Sequence, residues 1–252
     1  MKRPLFYIGA TSFSIAILLS GCGSQTSPMI DKQAADGERA PFQQALAAPV
    51  YNRTEIISSP EGAQQLLIEG NQRFTSGEPL SKDFSSTRRS ELMKNGQHPF
   101  AVIVSCSDSR VPPELLFDQA LGDLFVVRVA GNVVTPVEMG SIEYAVEHLK
   151  VPLVVVLGHE ECGAVTAAVQ GGETQGSIAA IIEKIKPAVN EARVTKATGK
   201  DLIEKSADLN IRNAIMDIAK SPIIKEGLES KQVRVLGAKY DLDEGVLKLM
   251  TN

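Results

Sequence analysis

Two short segments concentrate the chemistry-bearing residues of this chain: Cys106-Ser-Asp108-Ser-Arg110, and His159-Glu-Glu-Cys162. Together they offer two thiolates, an imidazole and a carboxylate, a donor set that suits a tetrahedral zinc site. Arg110, two residues beyond the carboxylate, has no use in a purely structural zinc knot. Its planar fork matches a carboxylate with two parallel N–H donors. Two thiolates already balance the charge of a zinc dication, so the placement of Asp108 decides what the site does. As a fourth ligand, Asp108 closes the site and silences it. Drawn aside by Arg110, it leaves a position open to water, whose pKa zinc lowers to about 7, giving a hydroxide nucleophile. Asp108 then accepts a hydrogen bond from that hydroxide and orients it. Asp108 and Arg110 are thus the candidate catalytic pair, and Cys106, Asp108, His159 and Cys162 the candidate metal ligands. The competing account of Asp108 and Arg110 is a local structural ion pair.

For these segments to meet, the elements carrying them must be neighbours. Phe100 to Cys106, Leu124 to Val129 and Leu153 to Leu157 are unbroken apolar, β-branched runs. Between the second and third, Pro136 to Lys150 has helical spacing at Val137, Ile142, Ala145, Val146 and Leu149. Strands apolar on both faces and separated by helices predict a mostly parallel central sheet flanked by helices, an α/β fold. Cys106 then ends the first strand, while His159 and Cys162 follow the third. In open parallel sheets, sites collect at the carboxyl ends of strands. Cys106 and Asp108, two apart on an extended exit, point the same way. His159 and Cys162, three apart, share a face if a helix begins there, with Gly163 allowing close backbone approach. Ser59-Pro60 starts a helix that Gly77 stops, and a second helix covers Ser86 to Lys94. Ile178 to Arg193 and Leu202 to Lys220 read as further helices, Pro187 kinking or breaking the first. Val233 to Tyr240 and Val246 to Met250 read as a C-terminal hairpin.

The start of the chain reads as a processing signal. Lys2 and Arg3 precede an uncharged apolar stretch from Leu5 to Leu19, shorter than the roughly 20 residues of a membrane span. It ends in Leu19-Ser20-Gly21-Cys22, which resembles a bacterial lipobox. On this reading residues 1–21 are removed and Cys22 carries lipid, anchoring the protein to a membrane surface without spanning it. An ordinary secretory signal or N-terminal anchor is the alternative. Residues 22–54, rich in Ser, Gln, Ala and Pro, read as a flexible tether, and residues 55–252 as one domain. Removal of Lys2 and Arg3 leaves 24 basic residues against 30 acidic, taking the net charge from −4 to −6. A mildly acidic chain without a basic block excludes nucleic acid and a polybasic lipid contact. An exported location, periplasmic or at the cell surface, follows. Of three cysteines, lipidation of Cys22 leaves Cys106 and Cys162. One disulfide between them is the rival to zinc, and it leaves Asp108, Arg110 and His159 without a purpose.

The C-x-D-x-R element with Val111-Pro112-Pro113-Glu114 after it, and H-x-x-C-G later, resembles the β-class carbonic anhydrases. Leu67-Ile-Glu-Gly70-Asn71-Gln-Arg73-Phe74, Arg128-Val-Ala-Gly131-Asn132 and Asn210-Ile-Arg-Asn agree with the same family. The resemblance covers the chain from about Pro60 to the C-terminus. It implies reversible hydration of carbon dioxide to bicarbonate and a proton, a zinc lyase with Cys106, His159 and Cys162 as ligands. It makes Asp108 either the fourth ligand or the partner of Arg110. It also implies a homodimer or tetramer, with the Ser59 to Phe74 helix packed on a partner subunit. Some family members bind inhibitory bicarbonate in a pocket built with Trp, Arg and Tyr. Arg128 and Tyr240 match that set, but Ile103 stands at the tryptophan position and the chain has no tryptophan, so such regulation is not expected.

Two other functions compete. One keeps the fold and metal but hydrolyses carbon disulfide or carbonyl sulfide. The other is a non-catalytic zinc- or bicarbonate-binding lipoprotein whose Asp108 never leaves the metal. His98, before a proline, reads as a loop residue, and His148 as a helix C-terminal residue.

Overall fold

A computed structural model describes residues 50–250 of the chain. The expected leader, Cys22 and nearly all of the expected tether lie outside the described residues. The apolar runs form β1 (Ala101–Ser105), β2 (Leu124–Arg128) and β3 (Leu153–His159). Every residue of β1 and β3 is buried, as parallel strands covered on both faces require. The expected C-terminal hairpin is β4 (Arg234–Tyr240) and β5 (Leu247–Met250). The sheet order is β2-β1-β3-β4-β5, parallel throughout except for the antiparallel β4–β5 pair. From β1 the chain goes out to β2, then returns to the other side of β1 as β3. The reversal leaves a crevice at the carboxyl ends of β1 and β3.

The helices are α1 (Pro60–Ser76), α2 (Ser86–Asn95), α3 (Pro113–Leu116) and α4 (Pro136–Glu147). There follow α5 (Gly163–Gln170), α6 (Ile178–Val194), α7 (Gly199–Ala219) and α8 (Pro222–Glu229). At the start of α1, Ser59 Oγ accepts the Gly62 N–H at 3.1 Å, and Gly77 ends the helix at φ 73°. Thr135 and Glu138 form a capping box on α4. One sheet face, with Val102, Val104, Val154 and Val156, packs on Ile142 of α4, Ile211 and Ile218 of α7, and Ile224 of α8. The other face, with Ala101, Ile103, Leu153 and Val155, packs on Ala63 and Leu67 of α1 and on Leu116 and Phe117. A third cluster of Val165, Ile182, Ile185, Val189 and Ala207 encloses Cys106 and Cys162.

The structure corrects three local expectations. Pro187 neither ends nor interrupts α6, because it faces solvent, where water can satisfy the carbonyl its ring leaves without a partner. Buried Ile182, Ile185, Ala188 and Val189 hold the helix on either side of it. Val137, counted on the apolar stripe of α4, is instead exposed. The tether does not run to residue 54: the Tyr51 N–H donates to Ser81 O at 2.7 Å, and Arg53 Nε donates to buried Asp123 at 3.0 Å. The Arg53 guanidinium also lies 5.1 Å from the Phe100 ring centroid. One face of α1, with Ala63, Leu67, Gly70 and Asn71, is buried against its own chain, which leaves the rest of the helix for the expected partner subunit.

Gly70 shows why α1 tolerates a glycine mid-helix. A Cβ there would stand 1.8 Å from Phe117 O and 2.7 Å from Phe117 C. Backbone cannot swing aside as a side-chain tip can. Gly70→Ala is expected to destabilise the fold by about 2 kcal/mol through overpacking, read as a lower urea midpoint at unchanged slope.

Candidate metal centre

The switch-point crevice brings the two segments together. Ser105 of β1 is in register with Leu157 of β3, so Cys106 leaves the sheet beside the strand end that carries His159. Cys106, His159 and Cys162 are all buried, and their ligand atoms lie within 4.8 Å of one another. The two sulfurs are 4.0 Å apart and both thiols are free. A disulfide would require about 2.0 Å, so the rival pairing is not formed. Two sulfurs on one tetrahedral zinc at about 2.3 Å each would stand about 3.8 Å apart, which the observed spacing fits. His159 Nδ1 lies 2.7 Å from Glu160 O and donates its proton there. That bond leaves Nε2 with its lone pair, buried and without a hydrogen-bond partner. An orphaned imidazole nitrogen facing two sulfurs is the arrangement a cation completes.

His159 and Cys162 do not share a helical face, contrary to the sequence expectation. His159 is the last residue of β3, Cys162 caps α5, and between them Glu161 turns the chain at φ 50°. Gly163 has nothing within 4 Å of a would-be Cβ, so close approach is not its purpose. Asp108 lies beside the three-atom cluster, its Oδ2 4.0 Å from His159 Nε2. Its carboxylate faces Arg110: Oδ1 accepts the Arg110 Nε–H at 3.0 Å and backbone N–H at 2.9 Å, and Oδ2 accepts from Nη2 at 2.8 Å. His98 and His148 are exposed, as the sequence suggested.

The electrostatics follow from these contacts. Hydrogen bonding from Arg110 holds the Asp108 carboxyl down to about 2, against a smaller opposing effect of burial. Asp108 is therefore ionised, and an acceptor only, across neutral pH. The sulfurs titrate as a pair. The hydrogen bond from Cys162 pulls the Cys106 thiol well below its ordinary value, with further help from His159 and the Gly131 N–H. Cys162 moves up, pushed by Cys106 and by burial. Two buried thiolates cannot coexist without a cation to offset them, and a zinc ion does so.

Several supporting residues carried no chemical signature of their own. Gly131 N–H donates to Cys106 Sγ at 3.3 Å, and Asn210 of α7 holds Gly131 by donating to its carbonyl at 2.7 Å. Gly131 sits at φ 71°, and a Cβ would meet Ile185 Cδ1 at 2.8 Å, so only glycine fits. Arg128, at the end of β2, donates to Cys106 O at 3.0 Å and Asp108 O at 2.6 Å, fixing the backbone between them. The motif stretches around Arg128, Gly131 and Asn210 were the only hint of these contacts.

Fold and site together define a metal-dependent α/β protein with an open carboxylate–arginine pair beside its ligand group. The family model described as carbonic anhydrase matches residues 101–247. A carbonic anhydrase of Mycolicibacterium smegmatis is 39% identical over 205 residues, covering 77% of this chain and 95% of that protein. Carbonic anhydrase 2 of Mycobacterium tuberculosis is 39% identical over 193 residues, covering 75% and 91%. The solved β-carbonic anhydrase CcaA matches with TM-score 0.61 and 31% identity, over 75% of this chain and 95% of its own. A tetrameric β-carbonic anhydrase from the filamentous ascomycete Sordaria macrospora matches with TM-score 0.61 and 25% identity, over 76% and 98%. The chain belongs to the carbonic anhydrase family, in its β class. The family's metal is zinc, and the Cys106, His159 and Cys162 atoms fit it.

That fit has a direct consequence. The purified protein is expected to hold one zinc per chain, and Cys162→Ser or His159→Ala to lower zinc affinity by more than about tenfold. Metal analysis after dialysis against a weak chelator reads both.

Proposed function

We infer that this chain catalyses the reversible hydration of carbon dioxide to bicarbonate and a proton. Cys106, His159 and Cys162 hold the zinc. When bound, zinc supplies the Lewis acidity that makes water a nucleophile near neutral pH. The observation that carries the reading is the Asp108–Arg110 pair. Its three hydrogen bonds keep the carboxylate ionised and turned toward Arg110, a few ångströms from the imidazole nitrogen. Of the two roles the sequence left open for Asp108, this geometry favours partnership with Arg110 over ligation. An ionised carboxylate in that place accepts a hydrogen bond from the attacking water and aims its lone pair at the substrate carbon. Arg110, half exposed, keeps the carboxylate from turning to the metal. Arg128 holds the same loop through its carbonyls, and Ile103 is fully buried in the core. Those two placements favour an enzyme without the bicarbonate-regulated pocket. The sulfur-analogue and non-catalytic readings have no observation in their favour, since the relatives named above are carbonic anhydrases.

A homo-oligomer is the favoured assembly. Strand β2 is a sheet edge, and none of its residues is fully buried. Beside it Val137 is 77% and Tyr144 48% exposed, with Tyr144 against Phe125 of β2. An uncovered apolar edge invites pairing with a second copy.

The protein is an exported lipoprotein anchored through Cys22, in the periplasm or at the cell surface. The basic pair Lys2-Arg3, the apolar stretch and Leu19-Ser20-Gly21-Cys22 support this reading. Among the described residues, no helix is long and apolar enough to cross a membrane.

Two experiments test these readings. Asp108→Asn and Arg110→Ala are each expected to lower carbon dioxide hydration by at least about 100-fold while zinc content holds, measured by stopped flow on metal-analysed protein. Full activity in both variants, or none in zinc-loaded wild type, overturns the catalytic reading. Cys22→Ser is expected to block processing or move the protein to the soluble fraction. A variant cleaved normally and still membrane-bound removes the lipid assignment.

A further inference from the structure

The turn carrying Cys162 is held from outside the ligand set by a carboxylate on α7. Glu161 adopts φ 50°, a left-handed conformation unfavourable for a residue with a Cβ, so something must hold it. Its N–H donates to Glu204 Oε1 at 3.1 Å. The other oxygen, Oε2, pairs with Lys239 Nζ at 2.8 Å, and the same ammonium pairs with Asp208 at 2.8 Å, one turn further along α7. The Lys239 side chain is 17% and that of Glu204 20% exposed, so this pair is largely enclosed, while Asp208 is more open to solvent. Lys239 belongs to β4, opposite Gly158 of β3 and next to the His159–Tyr240 pair. The Glu160 N–H donates to Tyr240 O at 3.2 Å. Two of the three peptide groups between His159 and Cys162 are thus tied to the β4–α7 frame, one directly and one through Glu204.

The Glu161 side chain makes a second contact, with Lys200 at 2.9 Å, but both partners lie mostly in solvent. An exposed pair of this kind contributes little. The link from the peptide N–H to Glu204 differs in that it acts on the backbone of the turn itself and its acceptor is held in place by the mostly shielded Lys239.

We propose that Glu204, itself held by Lys239, is a positioning residue that keeps the His159–Cys162 turn in ligating geometry. The proposal rests on the reading that Cys106, His159 and Cys162 hold the zinc. Groups that orient ligands in this way alter metal affinity about 10- to 100-fold when removed. Zinc release from the purified holoenzyme to a chromophoric chelator measures it, beside the absorption spectrum of the cobalt-substituted protein. Glu204→Ala is expected to release zinc at least about tenfold faster and to shift the cobalt bands. Glu204→Gln, which keeps an oxygen for the Glu161 N–H, should recover most of the loss, and Lys200→Ala should match wild type. Wild-type release rate and spectrum in Glu204→Ala overturn the proposal, as does equal acceleration by Lys200→Ala. Should Glu204→Ala not fold, Lys239→Met decides, an unchanged release rate overturning the proposal. Absence of zinc from the wild type would overturn the ligand reading itself.

Discussion

Two sulfurs brought together inside a protein present an electrostatic problem that the rest of this structure is arranged around. Cys106 and Cys162 are 5% and 1% exposed, with sulfurs 4.0 Å apart. Thiolates so placed repel each other and have lost most of their hydration, so a cation must neutralise them. The sheet makes the approach possible. Reversal of strand order between β1 and β3 puts Cys106 and His159 at adjacent carboxyl ends, where no further strand residue fills the space. Around that point the chain supplies N–H groups rather than carbonyls: Gly131 to Cys106 Sγ, and the first amides of α5 towards Cys162. Donors of this kind favour the ionised sulfur, and the N-terminus of a helix adds its dipole in the same sense.

Asp108 sits in the same field and has the opposite requirement. A third anion beside two thiolates would be driven either onto the metal or into protonation. Arg110 prevents both. Three hydrogen bonds to one carboxylate, two of them from the guanidinium, stabilise its charge where it stands. Charge-assisted bonds of this type are stronger than neutral ones, and the exposure of Arg110 weakens them here. What remains suffices to hold the carboxyl down to about 2. The carboxylate is thus turned to the guanidinium, and the atoms gathered closely enough to hold a metal are sulfur and imidazole.

The parts of this arrangement legible in the sequence were those written in local pattern. Unbroken apolar runs announced β1, β2 and β3, and Ser59-Pro60 and Gly77 bracketed α1, because burial on both faces and capping leave residue-by-residue marks. The grouping of Cys106, His159 and Cys162 was legible because thiols and imidazoles are scarce. Errors arose where one spacing serves two geometries. His159 and Cys162 at i and i+3 suit a helix, but they flank a left-handed turn. Pro187 suits a helix break, but its exposure lets α6 continue. The short α3 and α8 lacked the length for a period to emerge. The contacts of Arg128, Asn210 and Glu204 were hidden for a different reason: each acts on a peptide group of a distant segment. A side chain that binds backbone places no demand on the identity of the residue it holds, so no pairing pattern betrays it.

The same distinction explains how the domain begins. Arg53 reaches Asp123, the His98 carbonyl and the Phe100 ring, all just ahead of β1 or β2. Those contacts lie at the amino edge of the sheet, whereas Cys106 and His159 lie at its carboxyl edge. The five residues of β1 separate the two edges, roughly 17 Å at about 3.3 Å per residue. A buried aspartate can be offset only by a cation delivered to it, and Arg53 comes from the segment leading in from the N-terminal side. The entering chain is therefore locked to the domain by a charge the core cannot leave alone. The first described residues are thus tied down at the amino edge, a full strand length from the sulfurs, and their contacts share no residue with the metal centre.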